Sequence, residues 1–178
     1  MPVDTLARRL GIFVKLAETV PGNLGRTSLM KLCYFLQTIR KVPLQYEFSL
    51  YSYGPFDSEV LSDLQAAENL DILQTDIEYY PGGYRYRIGP AEKSDRAKEL
   101  AREFLDKYRK DVEWVAHLFG NRSASDLELL STILFVYDEG EIDNHNDLAD
   151  KVNSIKPHFP HSQISSQIEW LDKSGLLK

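Results

Sequence analysis

Four histidines, one cysteine and a scatter of carboxylates are the residues of this chain equipped to hold a metal, attack a bond or move a proton. His158 and His161, three apart, have the spacing to share a metal, and Asp147 and Asp150 precede them. They sit in a Pro-flanked turn with no cysteine nearby, which favours ordinary surface histidines. Cys33 directly follows Leu32 in an apolar helical pattern, the setting of a small core side chain rather than of a thiolate nucleophile. Asp138, Glu139, Glu141 and Asp143 form an acidic turn whose spacing is not that of a calcium-binding EF-hand loop. A Walker loop, a dinucleotide fingerprint, a nucleophile elbow and a zinc-ligand quartet are all missing. These residues predict a non-enzymatic protein with no catalytic residue, metal site or cofactor.

Tyrosine is the one excess. Seven of the ten tyrosines fall between residues 46 and 86: Tyr46, Tyr51, Tyr53, Tyr79, Tyr80, Tyr84 and Tyr86. Strand alternation can bury about half of such a set, so the rest must present rings and hydroxyls to solvent. Beside Arg85 and Arg87 they suit a protein interface, because a tyrosine ring covers a large area at small entropic cost. They would also suit a wing that touches a nucleic-acid backbone.

The elements that hold these residues follow from hydrophobic period. Leu6, Leu10, Phe13, Val14 and Ala17 make one helical stripe with Asp4 as its expected cap, broken by Pro21-Gly22-Asn23. A second helix, about Thr27–Lys41 with Thr27 as N-cap, is apolar over most of its circumference and reads as the core helix. The period then changes to two at Tyr46, Phe48 and Leu50, predicting a strand that Gly54-Pro55 ends. Asp57 is placed to cap a third helix. Alternating runs over 72–79 and 84–88, joined through Pro81-Gly82-Gly83, predict a β-hairpin. Beyond Gly89-Pro90 the pattern is helical: one long helix over Lys93–Phe119 buries Leu100, Phe104, Tyr108, Val112 and Val115. A further helix opens with a capping box at Ser125-Asp126-Leu127-Glu128, and two shorter helices follow. The expected fold is mainly helical α+β. Residues 1–90 form a winged-helix-like domain with a small antiparallel sheet, and 91–178 a long connecting helix with a C-terminal helix-turn-helix-like unit.

Composition agrees with a globular chain. The 178 residues are 43% hydrophobic and 27% charged, a length able to bury a core without staples. Lone Cys33 excludes an internal disulfide and fits a reducing cytoplasm, and no N-terminal signal pattern is visible. The net charge of −6 is uneven: residues 1–54 carry +4 and residues 125–178 carry −6. An anionic partner is therefore expected at the N-terminal third.

Two blocks carry a family resemblance. Leu29-Met30-Lys31-Leu32-Cys33-Tyr34-Phe35-Leu36-Gln37, followed by Tyr51-Ser52-Tyr53-Gly54-Pro55-Phe56-Asp57-Ser58-Glu59-Val60, resembles the signature of the YwgA-like proteins. Those in turn resemble the SocA-like antitoxins that share the Panacea domain. The resemblance is good from Leu24 to Ala66, fair to Ile88 and architectural beyond. Tyr51-Ser52 stands where many SocA-like proteins have Trp-Lys or a similar pair, which favours the YwgA-like branch. The resemblance implies a prokaryotic or phage-related protein that binds another protein, antitoxin-like, sequestering or delivering a toxin or protease substrate.

Lys31, Tyr34, Gln37, Tyr51, Tyr53, Arg85 and Arg87 are the expected partner-contact residues. Lys31 is expected to lay its stem along the surface with its ammonium free, so that removing it spares the fold. Specific DNA is the alternative partner, disfavoured because the third helix bears Asp57, Glu59, Asp63 and Glu68 and no cation. The stretch Ser162–Glu169 is equally without Lys or Arg.

Overall fold

In a computed structural model, residues 3–140, 142 and 144–177 are described. The side chain of Asp4, expected as a cap, and residues Glu141 and Asp143 of the acidic turn lie outside that description. Helices are α1 Val3–Thr19, α2 Arg26–Thr38, α3 Ser58–Asn69, α4 Ser94–Leu100, α5 Arg102–Phe119, α6 Ala124–Glu139, α7 His145–Ile155 and α8 His161–Lys173. Strands β1 Ser49–Tyr51 and β2 Gly54–Phe56 make one antiparallel pair, and β3 Leu73–Tyr80 and β4 Gly83–Pro90 another. The fold is mainly helical with two small antiparallel sheets, as the α+β reading expects.

The chain divides into two compact units, but not at residue 90. One comprises residues 1–47 and 57–122; the other comprises residues 48–56 and 123–178. The first unit runs past Gly89-Pro90 because α4 and α5 complete its core. Phe119 of α5 stacks on Phe35 of α2 at 4.1 Å between ring centroids. Gly11 of α1 lies against Ala101, where a Cβ on the glycine would come within 2.5 Å of the alanine Cβ. The expected single helix over 93–119 is interrupted there. Ala101 is buried and non-helical, and Leu100, assigned to the buried face, is 68% exposed.

Other corrections are local. The N-cap of α2 is Gly25 rather than Thr27, and the Ser28 hydroxyl accepts the Gly25 N–H at 2.7 Å. Helix α2 stops at Thr38, short of Lys41, which takes φ 55°. The strand predicted over 46–51 shrinks to β1, because Gly54 at φ 86° turns the chain straight back as β2. Gly54-Pro55 is thus the return strand, not a terminator. The N-cap of α6 lies two residues earlier, and no reciprocal box forms: Ser123 accepts the Asp126 N–H at 3.0 Å and donates to its carboxylate. By contrast, Asp57 caps α3 as expected, accepting the Glu59 N–H at 2.8 Å. The β3–β4 hairpin also forms in the predicted place, with Tyr80 paired to Gly83 across a Pro81-Gly82 turn.

In the second unit α6, α7 and α8 pack on one another around Leu130, Ile133, Val152, Ile164 and Leu171. The β1–β2 hairpin belongs with these helices and rests on α6.

Candidate protein interface

Helix α2 is buried through its middle, after an exposed first step at Arg26 and Thr27. Every residue from Ser28 to Leu36 is buried, under α3, α5 and β4. Lys31 is therefore 2% exposed, and Tyr34 3%. The surface ammonium expected of Lys31 is corrected: a helix packed on all sides has no solvent face along which a lysine stem can run. Tyr34 is likewise a core ring, set edge-on to Phe35. Gln37 is a structural clip, its amide donating to Tyr46 O at 2.8 Å and its carbonyl accepting Tyr46 N–H at 2.9 Å.

A polar cluster absent from the sequence reading lies beside this helix. Arg9 of α1 is fully buried. Its Nε donates to Leu44 O and its Nη2 to Gln45 O, both at 2.6 Å, and its Nη1 reaches Glu59 at 3.1 Å and Asp63 at 3.2 Å. The guanidinium also stacks on the Tyr46 ring at 3.9 Å, and the Tyr46 hydroxyl donates to Asp63 at 2.8 Å. Burial works against the Arg9 charge, but the Glu59 hydrogen bond and the negative neighbours outweigh it and hold the guanidinium's pKa above its ordinary value. Burial pushes both the Tyr46 phenol and the neighbouring Cys33 thiol far up, so both keep their protons. Through these bonds the cluster ties α1, the 42–46 segment and α3 together. An Arg8-Arg9 pair reads as surface charge, so only packing identifies it.

Tyr51 and Tyr53 lie on and beside the β1–β2 hairpin turn. Both are exposed, at 62% and 74%. Their hairpin is held from below by Lys156, buried at the end of α7, which donates to Ser52 O and to Glu128 Oε1 of α6, the latter at 2.9 Å. Glu128 also lies 3.4 Å from His158. A side chain at Gly54 would be crowded: a Cβ would sit 3.0 Å from Thr132 Oγ1 and 3.3 Å from Glu128 O. Glu128, read from sequence as a capping residue, is instead the buried counter-charge of Lys156.

An exposed aromatic surface lies on the β3–β4 hairpin. Cross-strand pairs Ile77–Tyr86 and Tyr79–Tyr84 occupy one face. Tyr79, at 77% exposed, leans on Tyr84 at 6.2 Å, and Tyr84 meets Tyr86 edge-on at 5.6 Å. Arg26 closes the row, its guanidinium 4.0 Å above the Tyr86 ring. Glu78, Arg85 and Arg87 share the opposite face, where Glu78 pairs with Arg85 and lies 3.7 Å from Arg87. The two arginines are exposed but already partnered, and Glu78 is held below its ordinary pKa by them. Arg85 and Arg87 thus share an element with the aromatic row, but not its face. Lys31 and Tyr34 are taken out of solvent altogether.

His161 pairs with Asp150 at 2.9 Å, and no group of three or more potential metal ligands occurs among the described residues.

No family model matches the chain. It is 23% identical over 150 residues to the uncharacterized protein YwgA of Bacillus subtilis (strain 168), a stretch covering 84% of this chain and 86% of that protein. That likeness spans most of both chains and supports the YwgA-like resemblance carried by the two sequence blocks.

Proposed function

We propose that this chain is a non-enzymatic, cytoplasmic protein-binding module whose contact surface is the aromatic face of the β3–β4 hairpin. One observation carries this reading: the continuous row Tyr79, Tyr84, Tyr86 and Arg26, with Ile77 beside it, of which Ile77, Tyr79 and Tyr84 are exposed. Tyrosine and arginine are the residues that most often dominate protein–protein binding energy. The first unit is read as winged-helix-like, with α3 and the β3–β4 wing in the order of that fold. The SocA-like resemblance gives the module its role, the sequestering or delivery of a partner such as a toxin or a protease substrate. No helix among the described residues is long and apolar enough to cross a membrane.

The test compares wild type with the double variant Tyr79→Ala/Tyr84→Ala in pull-downs from the source organism, with melting temperatures as the control for folding. The variant is expected to lose the partners that wild type retains. Equal recovery by both proteins rejects the face.

DNA binding is the second reading, favoured by exposed Arg85 and Arg87 on a wing. Against it, α3 carries Glu59, Asp63 and Glu68 without a cation, and Glu78 already neutralises part of the wing's charge. Weak, salt-sensitive DNA binding is expected. A sequence-specific site found by genomic selection at physiological salt would establish this second reading instead.

A further inference from the structure

Beyond its side chains, the β3–β4 hairpin offers a backbone. Ile88 lies opposite Thr75, yet its N–H donates away from the ladder, to Leu24 O at 2.7 Å. Antiparallel pairs alternate between hydrogen-bonded and non-hydrogen-bonded, so Thr75–Ile88, Ile77–Tyr86 and Tyr79–Tyr84 are pairs whose amides and carbonyls point outward. On β4 the outward edge is covered at its base. Leu24 takes the Ile88 N–H, and Gly25 is so close that a Cβ there would lie 3.1 Å from Tyr86 O. On β3, among the described residues, the outward N–H and C=O groups of Ile77 and Tyr79 have no partner. An uncovered strand edge is a template for another strand.

Charge selects which strand. Along β3, Ile77 and Tyr79 face one side, and Asp76 and Glu78 the other. Asp76 has no cation within ion-pair distance among the described residues, and Glu78 leans toward Arg85 on the opposite flank. A second copy of the chain fits poorly. Two β3 edges paired antiparallel about Ile77 would set Asp76 opposite Glu78 twice, and like charges directly opposite destabilise a sheet.

We propose that the outer edge of β3, through Ile77 and Tyr79, accepts an extended strand of another protein in which basic residues alternate with apolar ones. The apolar side chains would lie against Ile77 and Tyr79, and the basic ones beside Asp76 and Glu78. This mode rests on the protein-binding reading of the same hairpin and adds the conformation and charge of the bound segment.

The probe is a synthetic peptide of about seven residues alternating lysine and valine, compared with its glutamate–valine counterpart. With the full chain, the lysine peptide is expected to slow amide exchange at Ile77 and Tyr79, and the glutamate peptide to bind at least ~10-fold more weakly. Ile77→Pro removes one outward N–H and none of the hairpin's own ladder bonds, so it is expected to weaken the lysine peptide about 10-fold or more. Unchanged exchange at Ile77 and Tyr79 in wild type overturns the proposal, however the proline variant folds. So does equal affinity for the two peptides, or full affinity in a folded Ile77→Pro protein. If strand addition fails while Tyr79→Ala/Tyr84→Ala still loses its native partners, the aromatic face stands without it.

Discussion

Arg9 shows how much a single side chain can organise when its donors are spent on other elements. It satisfies two carbonyls of the 42–46 segment and meets two carboxylates of α3. Truncation strands those groups in a buried site, and the loss of one partner from a buried ion pair costs about 3–5 kcal/mol. Arg9→Ala is therefore expected to lower stability by that amount, read from denaturant midpoints at constant m. Lys31→Ala is expected to destabilise too, by about 1–3 kcal/mol, because the residue it truncates is buried. A melting temperature equal to wild type would return Lys31 to the surface. Cys33, with its thiol buried and its pKa far raised, should ignore a thiol reagent in the native state and react on unfolding. Rapid native labelling would reopen it as a nucleophile.

Among the elements, the two hairpins differ in what holds them, and so in what should loosen them. The β1–β2 turn depends on Gly54, where a φ of 86° strains any side chain and close neighbours Ser131 and Thr132 crowd it. Gly54→Ala is expected to cost about 1–3 kcal/mol, combining backbone strain with the contacts that must shift. The β3–β4 hairpin instead carries the Glu78 pairing. Since the folded Glu78 pKa is depressed, its contribution is present above the ordinary value of 4.5 and is lost as pH falls through the folded one. Protection of the hairpin amides should therefore drop below about pH 4.5 in wild type and stay level in Glu78→Gln. Of these elements, the β3–β4 hairpin and the Asp57 cap were legible in the sequence, because period and cap chemistry are local. The break at Ala101 and the burial of Lys31 were not. Both follow from what packs alongside, Gly11 in one case and helices on several sides in the other, and no window of sequence contains that. Tyr51, Tyr53, Arg85 and Arg87 are exposed. Arg9 and Lys156 were not legible, because a buried cation looks, in sequence, like any other.

At the scale of the whole molecule, the boundary at residue 90 is the wrong place to cut. A fragment of residues 1–90 lacks Phe119 and the α5 side chains that close the core on α2, so it is expected to show poor amide dispersion and no cooperative melt. A folded 1–90 fragment would contradict the observed unit. The segment 48–56 belongs with helices that begin at residue 123, although it lies inside the first unit's stretch of chain. On the ribosome, it emerges long before anything it will pack against. At translation rates of about 5–20 residues per second it must wait several seconds, its Lys156 clamp not yet synthesised. During that interval the nascent protein trails a tyrosine-bearing loop with nothing to hold it, and the last helices to be made decide when it closes.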